Sequence, residues 1–364
     1  MINMSKKIAV MTGGGDAPGL NAVIYALTKT CIAKYGYELI GYKFGYRGMY
    51  LNDYIPLTMQ STSGILHRGG TILYSSNKDN LFDYWVEENG ERFKKDVSDV
   101  AVENLRREGV DVLCVLGGDG TLASAYDFAK KGINVVGVPK TIDNDLGSTD
   151  TTFGFDTAVN IVTENLGRLH TTAESHHRVM IVEVMGRSAG WIALHSGIAG
   201  SADVILIPEI PFTLAGIIKK IEERQKHGKT FTVIVVCEGA SLKGGDKVVS
   251  KIVEDSPDPV RFGGIGEMLA ALLEHNISQE VRSVALGHIQ RGGETSAADR
   301  VLSCRYGVAA AKLIHEGNYN NMVCLRNGKM DYVSLESIAG KTKPVNPEGE
   351  MVEVARSLGI SFGE

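Results

Sequence analysis

The sequence has no block of Lys or Arg and no long apolar run, and both absences restrict what this 364-residue chain can do. The formal net charge is −5 and the isoelectric point is near 6.0, so neither nucleic acid nor an anionic membrane surface is predicted as a partner. The apolar run at 8–11 is far too short for a signal peptide or a membrane span. We therefore predict a small ligand.

Cysteine is sparse and shows no C-x-x-C pair. The five cysteines are Cys31, Cys114, Cys237, Cys304 and Cys324. An odd and scattered set is typical of reduced thiols. Because no targeting segment is visible either, we expect a cytoplasmic protein.

Glycine, in contrast, is abundant, with 43 residues in 364, or roughly 12% against a usual value of about 7%. Such an excess indicates tight turns and places where the backbone approaches a ligand closely. The hydrophobic content of 43% is ample for a buried core, and the length allows one large or two medium domains.

Short apolar runs alternate with spans of helical periodicity along the chain. The runs at 112–116 and 135–138 are continuously apolar, which favours parallel strands buried on both faces. Further strands are predicted at 8–12, 38–42, 178–184, 204–207, 232–236 and 281–286, and helices at 18–35, 96–108, 153–169 and 266–274. Segments 45–50 and 242–259 are predicted to be loops. The pattern predicts an α/β protein of two similar doubly wound, Rossmann-like domains with mainly parallel sheets.

Polar loops follow the two central runs. G-G-D-G-T stands at 117–121 and T-I-D-N-D at 141–145. In an open parallel sheet, ligands bind at the carboxyl ends of the strands, so Asp119, Asp143 and Asp145 should face one crevice. A third glycine turn, G-G-G-D-A-P-G at 13–19, precedes a helix and suits phosphate, although it lacks the third glycine of a dinucleotide fingerprint.

Each acidic loop has a chemical interpretation and a plainer alternative. Backbone N–H groups, a carboxylate and the Thr121 hydroxyl suit a polyphosphate with Mg²⁺, but Asp119 could also simply cap a helix. In the second loop, one carboxylate could accept a proton from an alcohol while the other supports a metal, as phosphoryl transfer requires, but both could be solvated turn acids. Dinucleotide kinases and lipid kinases share a similar G-G-D-G-T loop.

A series of motifs between residues 8 and about 307 resembles the phosphofructokinase family. In order they are G-G-D-A-P-G-L-N-A at 14–22, G-Y-R-G-M-Y at 45–50, G-G-D-G-T at 117–121, P-K-T-I-D-N-D at 139–145, M-G-R-S-A-G-W at 185–191, C-E-G at 237–239 and L-G-H-I-Q-R-G-G at 286–293. So many ordered matches are highly specific. The resemblance implies Mg²⁺-dependent phosphoryl transfer from ATP to the 1-hydroxyl of fructose 6-phosphate, in a cleft between two domains.

The resemblance also implies roles for individual residues. Asp143 would be the base, with Thr141 against the transferred phosphoryl group, Asp145 in support of metal and charge, and Arg187 stabilising the phosphoryl oxygens. Asp119 would bind Mg²⁺. The donor phosphates would lie among Gly14, Gly118, Gly120, Thr121, Lys140, Asn77 and Lys78, and Tyr46 could stack on a base or simply pack on the domain. Met185, Gly186 and Glu238 would line the sugar pocket, and Arg178, Arg282, His288 and Arg291 would hold the 6-phosphate.

Two residues bear on the choice between ATP and pyrophosphate. Gly120 resembles the ATP users, in which the small residue leaves room for the α-phosphate and the nucleoside, whereas Lys140 resembles the pyrophosphate users. We predict ATP, because an obstruction is harder to overcome than an added cation, and keep pyrophosphate as the alternative. Asn77 replaces the Arg of many ATP-dependent relatives, so a catalytically weakened nucleotide-sensing paralogue is a further alternative.

The same resemblance predicts the organisation of the chain. We expect a donor domain at 1–154 plus about 290–340, and a fructose 6-phosphate domain at 155–289 plus about 341–364. Arg178 and Arg282 would reach the site of a neighbouring subunit, which implies a homodimer or a homotetramer.

Overall fold

Two mainly parallel sheets organise the chain, and both are built from short runs of branched apolar residues. The computed structural model describes residues 5–253, 259–338 and 340–364. The strands are β1 Lys7–Thr12, β2 Glu38–Tyr42, β3 Tyr54–Leu57, β4 Tyr84–Glu88, β5 Glu91–Lys95, β6 Val112–Gly117, β7 Val135–Pro139, β8 Val179–Val184, β9 Val204–Leu206, β10 Thr232–Cys237, β11 Val249–Ile252, β12 Val260–Phe262, β13 Val281–Ala285, β14 Asn321–Arg326 and β15 Lys329–Ser334.

Most of the helices lie between these strands along the chain, and the last two follow β15. They are α1 Leu20–Tyr35, α2 Tyr46–Leu51, α3 Ser98–Arg107, α4 Asp119–Lys130, α5 Phe155–His176, α6 Trp191–Ala199, α7 Leu214–Lys226, α8 Ile265–Glu274, α9 Ala297–Glu316, α10 Leu335–Ile338 and α11 Glu350–Ser357, with a 3-10 helix at Gly287–Arg291. None of the helices in the described ranges is both long and apolar enough to cross a lipid bilayer.

The larger sheet has the strand order β15-β14-β7-β6-β1-β2-β3 and the smaller one the order β13-β8-β10-β9. In the larger sheet β14, β7, β6, β1 and β2 run parallel, and the outer strands β3 and β15 are antiparallel. All pairs in the smaller sheet are parallel. The predicted α/β class with mainly parallel sheets is confirmed.

Helices cover both faces of each sheet. On the larger sheet α1 and α9 pack together on one face, and the opposite face carries α3 and α4. A Cβ atom on Gly307 of α9 would lie 2.7 Å from the carbonyl oxygen of Val23 in α1, so this glycine permits the close helix contact. On the smaller sheet α5 and α6 cover one face, and α7 and α8 cover the other.

Most predicted strands agree with the structure to within one residue, but several other elements differ. Residues 45–50, predicted to be a loop, contribute most of α2. Helix α1 begins at Leu20 rather than at 18, because Gly19 adopts φ 104° and ends the turn in a left-handed conformation. Helix α5 continues to His176, beyond 169. The predicted loop at 242–259 contains β11, which pairs with β12, while residues 254–258 lie outside the described part of the chain.

The two sheets draw on different parts of the sequence. The larger sheet uses residues 7–139 and 321–334, and the smaller one uses 179–285. Near the C-terminus, Ser361 pairs with Val204 of β9, so this end of the chain joins the smaller sheet. The predicted domain boundaries themselves stay a prediction.

Candidate active site

Parallel register brings the three polar loops of the larger sheet to one edge. Thr12 pairs with Leu116, and Gly117 pairs with Pro139, so β1, β6 and β7 end side by side. The residues directly after β1 and β7 extend the hydrogen bonding between the strands. The Gly13 N–H donates to Leu116 O at 3.0 Å, and the Lys140 N–H donates to Gly117 O at 2.9 Å.

Glycine is required where the loops pack around Thr121. Cβ atoms built on Gly13 and Gly117 would lie 2.6 and 2.3 Å from the Cγ2 methyl group of Thr121. A larger residue at either position would displace this threonine from the junction of the two loops. The loop at 75–78 joins the same group, because the Gly14 N–H donates to Ser76 O at 2.9 Å and the Ser75 hydroxyl donates to Gly14 O at 2.5 Å. Asn77 and Lys78 follow directly and are exposed.

Lys140 is a buried cation beneath the first glycine loop. Its side chain is 4% exposed, and Nζ donates to Gly15 O at 2.5 Å. Burial, and then the neighbouring Arg291, lower the pKa of Lys140 to about 8, against the opposing effect of nearby acids. A Cβ atom on Gly14 would lie only 3.2 Å from Nζ. An anionic group above this loop would therefore face a nearby positive charge with little solvent between them.

Asp119 begins α4 and is partly buried. Its Oδ1 accepts a hydrogen bond from Gly340 N at 2.9 Å. Burial is the largest cause that raises the pKa of Asp119, and the charge of Asp145 raises it further. Within the described ranges, no three His, Cys, Asp or Glu side chains come together as a metal-binding cluster. Mg²⁺ is typically held by one or two carboxylates together with substrate phosphates, and Asp119 with Asp145 nearby fits that requirement.

Asp143 is the most deeply buried of the three acids. It is 4% exposed, its N–H donates to Thr141 Oγ1 at 3.0 Å, and its Oδ1 accepts no hydrogen bond from any residue that the structure describes. Burial and the charge of Asp145 raise the pKa of Asp143 to about 6. Three cationic side chains oppose this shift, namely Arg291, Arg187 and Lys140. An unpartnered buried carboxylate among cations is an arrangement typical of a functional site.

On the side of the smaller sheet, the loops after β8 and β10 are packed against each other close to Asp143. The Arg187 N–H donates to Glu238 Oε1 at 3.2 Å, and Arg187 adopts φ 53°. A Cβ atom on Gly239 would lie 1.6 Å from the Arg187 carbonyl oxygen, so the C-E-G sequence requires its glycine. Burial and the charge of Asp143 raise the pKa of Glu238 to about 7.

The 3-10 helix at Gly287–Arg291 connects the two sides. Arg291 reaches the first glycine loop, where Nη1 donates to Asp16 O at 2.7 Å. Gln290 is buried and accepts a hydrogen bond from Met185 N at 3.3 Å, while His288 is exposed. The structure therefore brings Arg291 close to Lys140 and Asp143, at the junction of the two sides.

Two predicted phosphate ligands lie elsewhere. Arg178 and Arg282 stand at the amino ends of β8 and β13, and both contact the carboxylate of Glu280. Met185 follows the opposite end of β8, roughly 20 Å away at about 3.3 Å per strand residue. The two arginines consequently do not join the site of their own chain.

Tyr46 packs on the domain, which is one of the two alternatives that the sequence left open for it. Its ring is 5% exposed and stacks on Phe128 with a centroid distance of 5.5 Å, and its hydroxyl donates to Thr121 O at 2.7 Å. Stacking on a base is therefore excluded in this conformation, because the protein already covers the ring. Tyr46 therefore stabilises the G-G-D-G-T loop through its hydrogen bond to Thr121 O.

Sequence reasoning missed three residues around the site, Gln290, Glu209 and Lys343. Glu209 accepts hydrogen bonds from Gly190 N at 3.1 Å and from Val345 N at 2.7 Å. Lys343 contacts the loop that carries Asp143, across nearly 200 residues of sequence. The local pattern at Lys343 is a Lys-Pro pair in a C-terminal segment that contains no predicted site residue.

Comparisons with known proteins were consistent with this geometry. A family model described as Phosphofructokinase matches residues 7–314. The chain is 66% identical over 366 residues to the ATP-dependent 6-phosphofructokinase 2 of Clostridium perfringens, covering 100% of both chains. It is also 45% identical over 358 residues to the pyrophosphate–fructose 6-phosphate 1-phosphotransferase of Streptomyces coelicolor, covering 98% of this chain and 100% of that one. Among solved structures, a phosphofructokinase of Saccharomyces cerevisiae matches with a TM-score of 0.78 and 28% identity, over 92% of this chain and 45% of that one.

The close contact at Gly239 makes a prediction about stability. Gly239→Ala should lower the free energy of unfolding by about 1–3 kcal/mol or more, because the new methyl group overlaps the Arg187 carbonyl. Gly167→Ala in α5 is the control, since no described atom lies within 4 Å of its Cβ position, and alanine there should stabilise by about 0.5–1 kcal/mol. Urea denaturation measures both, and equal stability of the two variants would contradict the contact.

Proposed function

The chain belongs to the phosphofructokinase family, and on that premise we propose that it transfers the γ-phosphoryl group of ATP to the 1-hydroxyl of fructose 6-phosphate. The products are fructose 1,6-bisphosphate and ADP, a step of glycolysis. The cytoplasmic location expected from the reduced cysteines is part of this proposal.

The observation that carries the proposal is the buried Asp143 carboxylate with its unpartnered Oδ1. An acceptor hydroxyl in the cleft would donate to that atom, and Asp143 would take its proton as the oxygen attacks phosphorus. Thr141 would lie against the phosphoryl group that moves. Arg187 would stabilise the charge that develops on the phosphoryl oxygens, and Asp145 would support the charge balance of the site.

The donor would occupy the loops at the edge of the larger sheet, against Gly14, Gly118 and Thr121. Asp119 would hold Mg²⁺, which neutralises charge on the donor phosphates when it is bound. The loop at 75–78, with Asn77 and Lys78, would border the donor from the side of β1.

Open space beside Gly120 supports ATP over pyrophosphate. A Cβ atom on this residue would meet no described atom within 4 Å, so the space beside Gly120 would be available to the α-phosphate and the nucleoside of ATP. The relative that is 66% identical is named as ATP-dependent, whereas pyrophosphate-dependent relatives appear at 45–46% identity. Pyrophosphate remains the second candidate, because Lys140 provides a buried cation that could pair with it.

The sugar would lie against Met185, Gly186 and Glu238, with its 6-phosphate near His288 and Arg291. A bidentate guanidinium suits the phosphate dianion. Arg178 and Arg282 would complete the site of a neighbouring subunit in a homodimer or homotetramer. In this proposal, 1–154 plus about 290–340 bind the donor, and 155–289 plus about 341–364 bind the sugar.

Replacing the proposed base tests the acceptor chemistry. Asp143→Asn should lower kcat by about 10²–10⁴-fold, because the amide cannot accept the proton. In the unchanged enzyme kcat should fall as the pH drops below about 6, since protonation then removes the base. Steady-state assays of fructose 1,6-bisphosphate formation measure both effects, with retained substrate binding by calorimetry as the control. An unaffected kcat would exclude Asp143 as the base.

Assays with ATP and with pyrophosphate at matched Mg²⁺ test the donor. Turnover should be robust with ATP, and Gly120→Asp should depress it strongly, because the added carboxylate occupies the open space and repels the donor phosphates. Gly120→Ala is the matched control for helix geometry without the charge. Robust turnover of the wild-type protein with pyrophosphate alone would overturn the choice of donor.

Subunit mixing tests the shared site. Asp143→Asn and Arg282→Ala should each be impaired alone, but hybrids formed by joint refolding should regain activity well above the sum of the two. In a hybrid, the subunit that keeps Asp143 receives Arg282 from its neighbour. Absence of recovery, with hybrids demonstrated by native mass spectrometry, would contradict a site completed by a second subunit.

A further inference from the structure

A short C-terminal segment crosses the site and contacts both sides of it. We propose that Lys343, in the segment 340–345 that we call the strap, is a positioning residue that holds the Asp143 loop in its catalytic geometry. The inference rests on the proposed function, because it concerns the same phosphoryl transfer.

The Lys343 ammonium group is enclosed by oxygen atoms of the acidic loop. Nζ donates to Asn144 Oδ1 at 3.2 Å, to Thr149 O at 3.0 Å and to Asp150 O at 3.1 Å. Asn144 stands between Asp143 and Asp145 and has φ 52°, a left-handed conformation that Asn adopts more readily than most residues. The Asn144 side chain also accepts from Thr152 N at 3.1 Å. The lysine thus joins the Asn144 side chain to the backbone at 149–150, at the other end of the loop.

The backbone of the strap contacts both acidic loops. Gly340 N donates to Asp119 Oδ1 at 2.9 Å, and Lys343 N donates to Asp145 O at 2.6 Å. Between them Thr342 forms an antiparallel bridge with Leu146. A shift of the strap would therefore move both the proposed metal ligand and the loop of the proposed base.

The other side of the strap is fixed to the start of α6, which follows the Arg187 loop. The Trp191 indole N–H donates to Lys343 O at 2.8 Å, and Val345 N donates to Glu209 Oε1 at 2.7 Å. Glu209 also accepts from Gly190 N, so it fixes the strap and the α6 N-terminus together. The strap consequently connects the loops of Asp119 and Asp145 with the loop of Arg187 that leads into α6.

Charge favours the same role. Lys343 is half-buried, with Nζ 5.5 Å from the centre of the Trp191 ring. Burial lowers the pKa of Lys343 to about 8, and the nearby Asp145 and Asp150 oppose that change. Without the ammonium group, the carbonyl oxygens of Thr149 and Asp150 would lose this donor and Asn144 Oδ1 would keep only Thr152 N, and relaxation of the loop would then misplace Asp143.

Lys343→Met is the primary test, and Lys6→Met is its matched control. Lys6 is also a half-buried lysine beside an aromatic ring, and its Nζ donates to Ile314 O and Tyr319 OH, both at 2.9 Å. It precedes β1, at the opposite edge of the sheet from the acids. Lys343→Met should lower kcat on the order of 10²-fold with little change in KM for fructose 6-phosphate, since loop misplacement acts on the reacting geometry. Lys6→Met should lose stability but keep kcat.

Two further variants distinguish a role of Lys343 in positioning the Asp143 loop from a general contribution to the stability of the fold. Lys343→Arg should restore most of the lost kcat, because it keeps the charge and the donors. Trp191→Phe removes the indole N–H together with the pyrrole part of the ring and keeps Lys343 itself, so it should give a smaller loss in kcat and serves if Lys343→Met does not fold. In a Trp85→Phe background, emission from Trp191 should change in Lys343→Met and stay unchanged in Lys6→Met.

Wild-type turnover is measured first. No turnover with either donor contradicts the proposed function, and the strap proposal falls with it. Wild-type turnover with an unaffected kcat in Lys343→Met contradicts the strap alone. A kcat loss that Lys6→Met matches, or that Lys343→Arg does not reduce, also overturns the positioning role.

Discussion

The charge of Asp143 is the constraint on which the rest of the site depends. A carboxylate that is 4% exposed is costly unless cations compensate for the lost water, and here Arg291, Arg187 and Lys140 do so from three different loops. None of these loops is a neighbour of the others in sequence. They meet because parallel strands end together, so the registry of both sheets determines whether the acid can be ionised at all.

Glycine residues allow the loops of the site to pack together, because the loops approach one another more closely than a larger side chain would permit. Gly13 and Gly117 leave space for Thr121, and Gly239 leaves space for the Arg187 carbonyl. A Cβ atom on Gly15 would lie 2.9 Å from the Arg291 guanidinium. The excess of glycine in the composition is therefore explained at these positions by packing of loop on loop.

Residue patterns predicted the elements whose cause is local. Continuous apolar runs predicted β6 and β7, because a buried parallel strand is recognisable from five or six consecutive residues. The polar loops directly after them predicted that Asp119 and Asp143 lie at the same edge of the sheet. Glu209 and Lys343 were not predicted, since their roles arise from contacts with distant parts of the chain, and the sequence left two alternatives open for Tyr46. A tyrosine in a glycine-flanked segment has the same local pattern whether its ring faces a ligand or Phe128.

The choice between ATP and pyrophosphate depends on two residues of the site, Lys140 and Gly120. Lys140 lies under the glycine loop with Gly15 O as its hydrogen-bond acceptor, and in the proposed function its charge would be close to the first phosphates of any donor. ATP and pyrophosphate share those phosphates, so the cation would serve either donor, which is why Lys140 keeps pyrophosphate as the second candidate. The two donors differ only beyond them, where ATP needs volume. Gly120 stands at a position where a side chain would extend into open space, so selectivity should depend on the absence of an obstruction there rather than on the presence of Lys140.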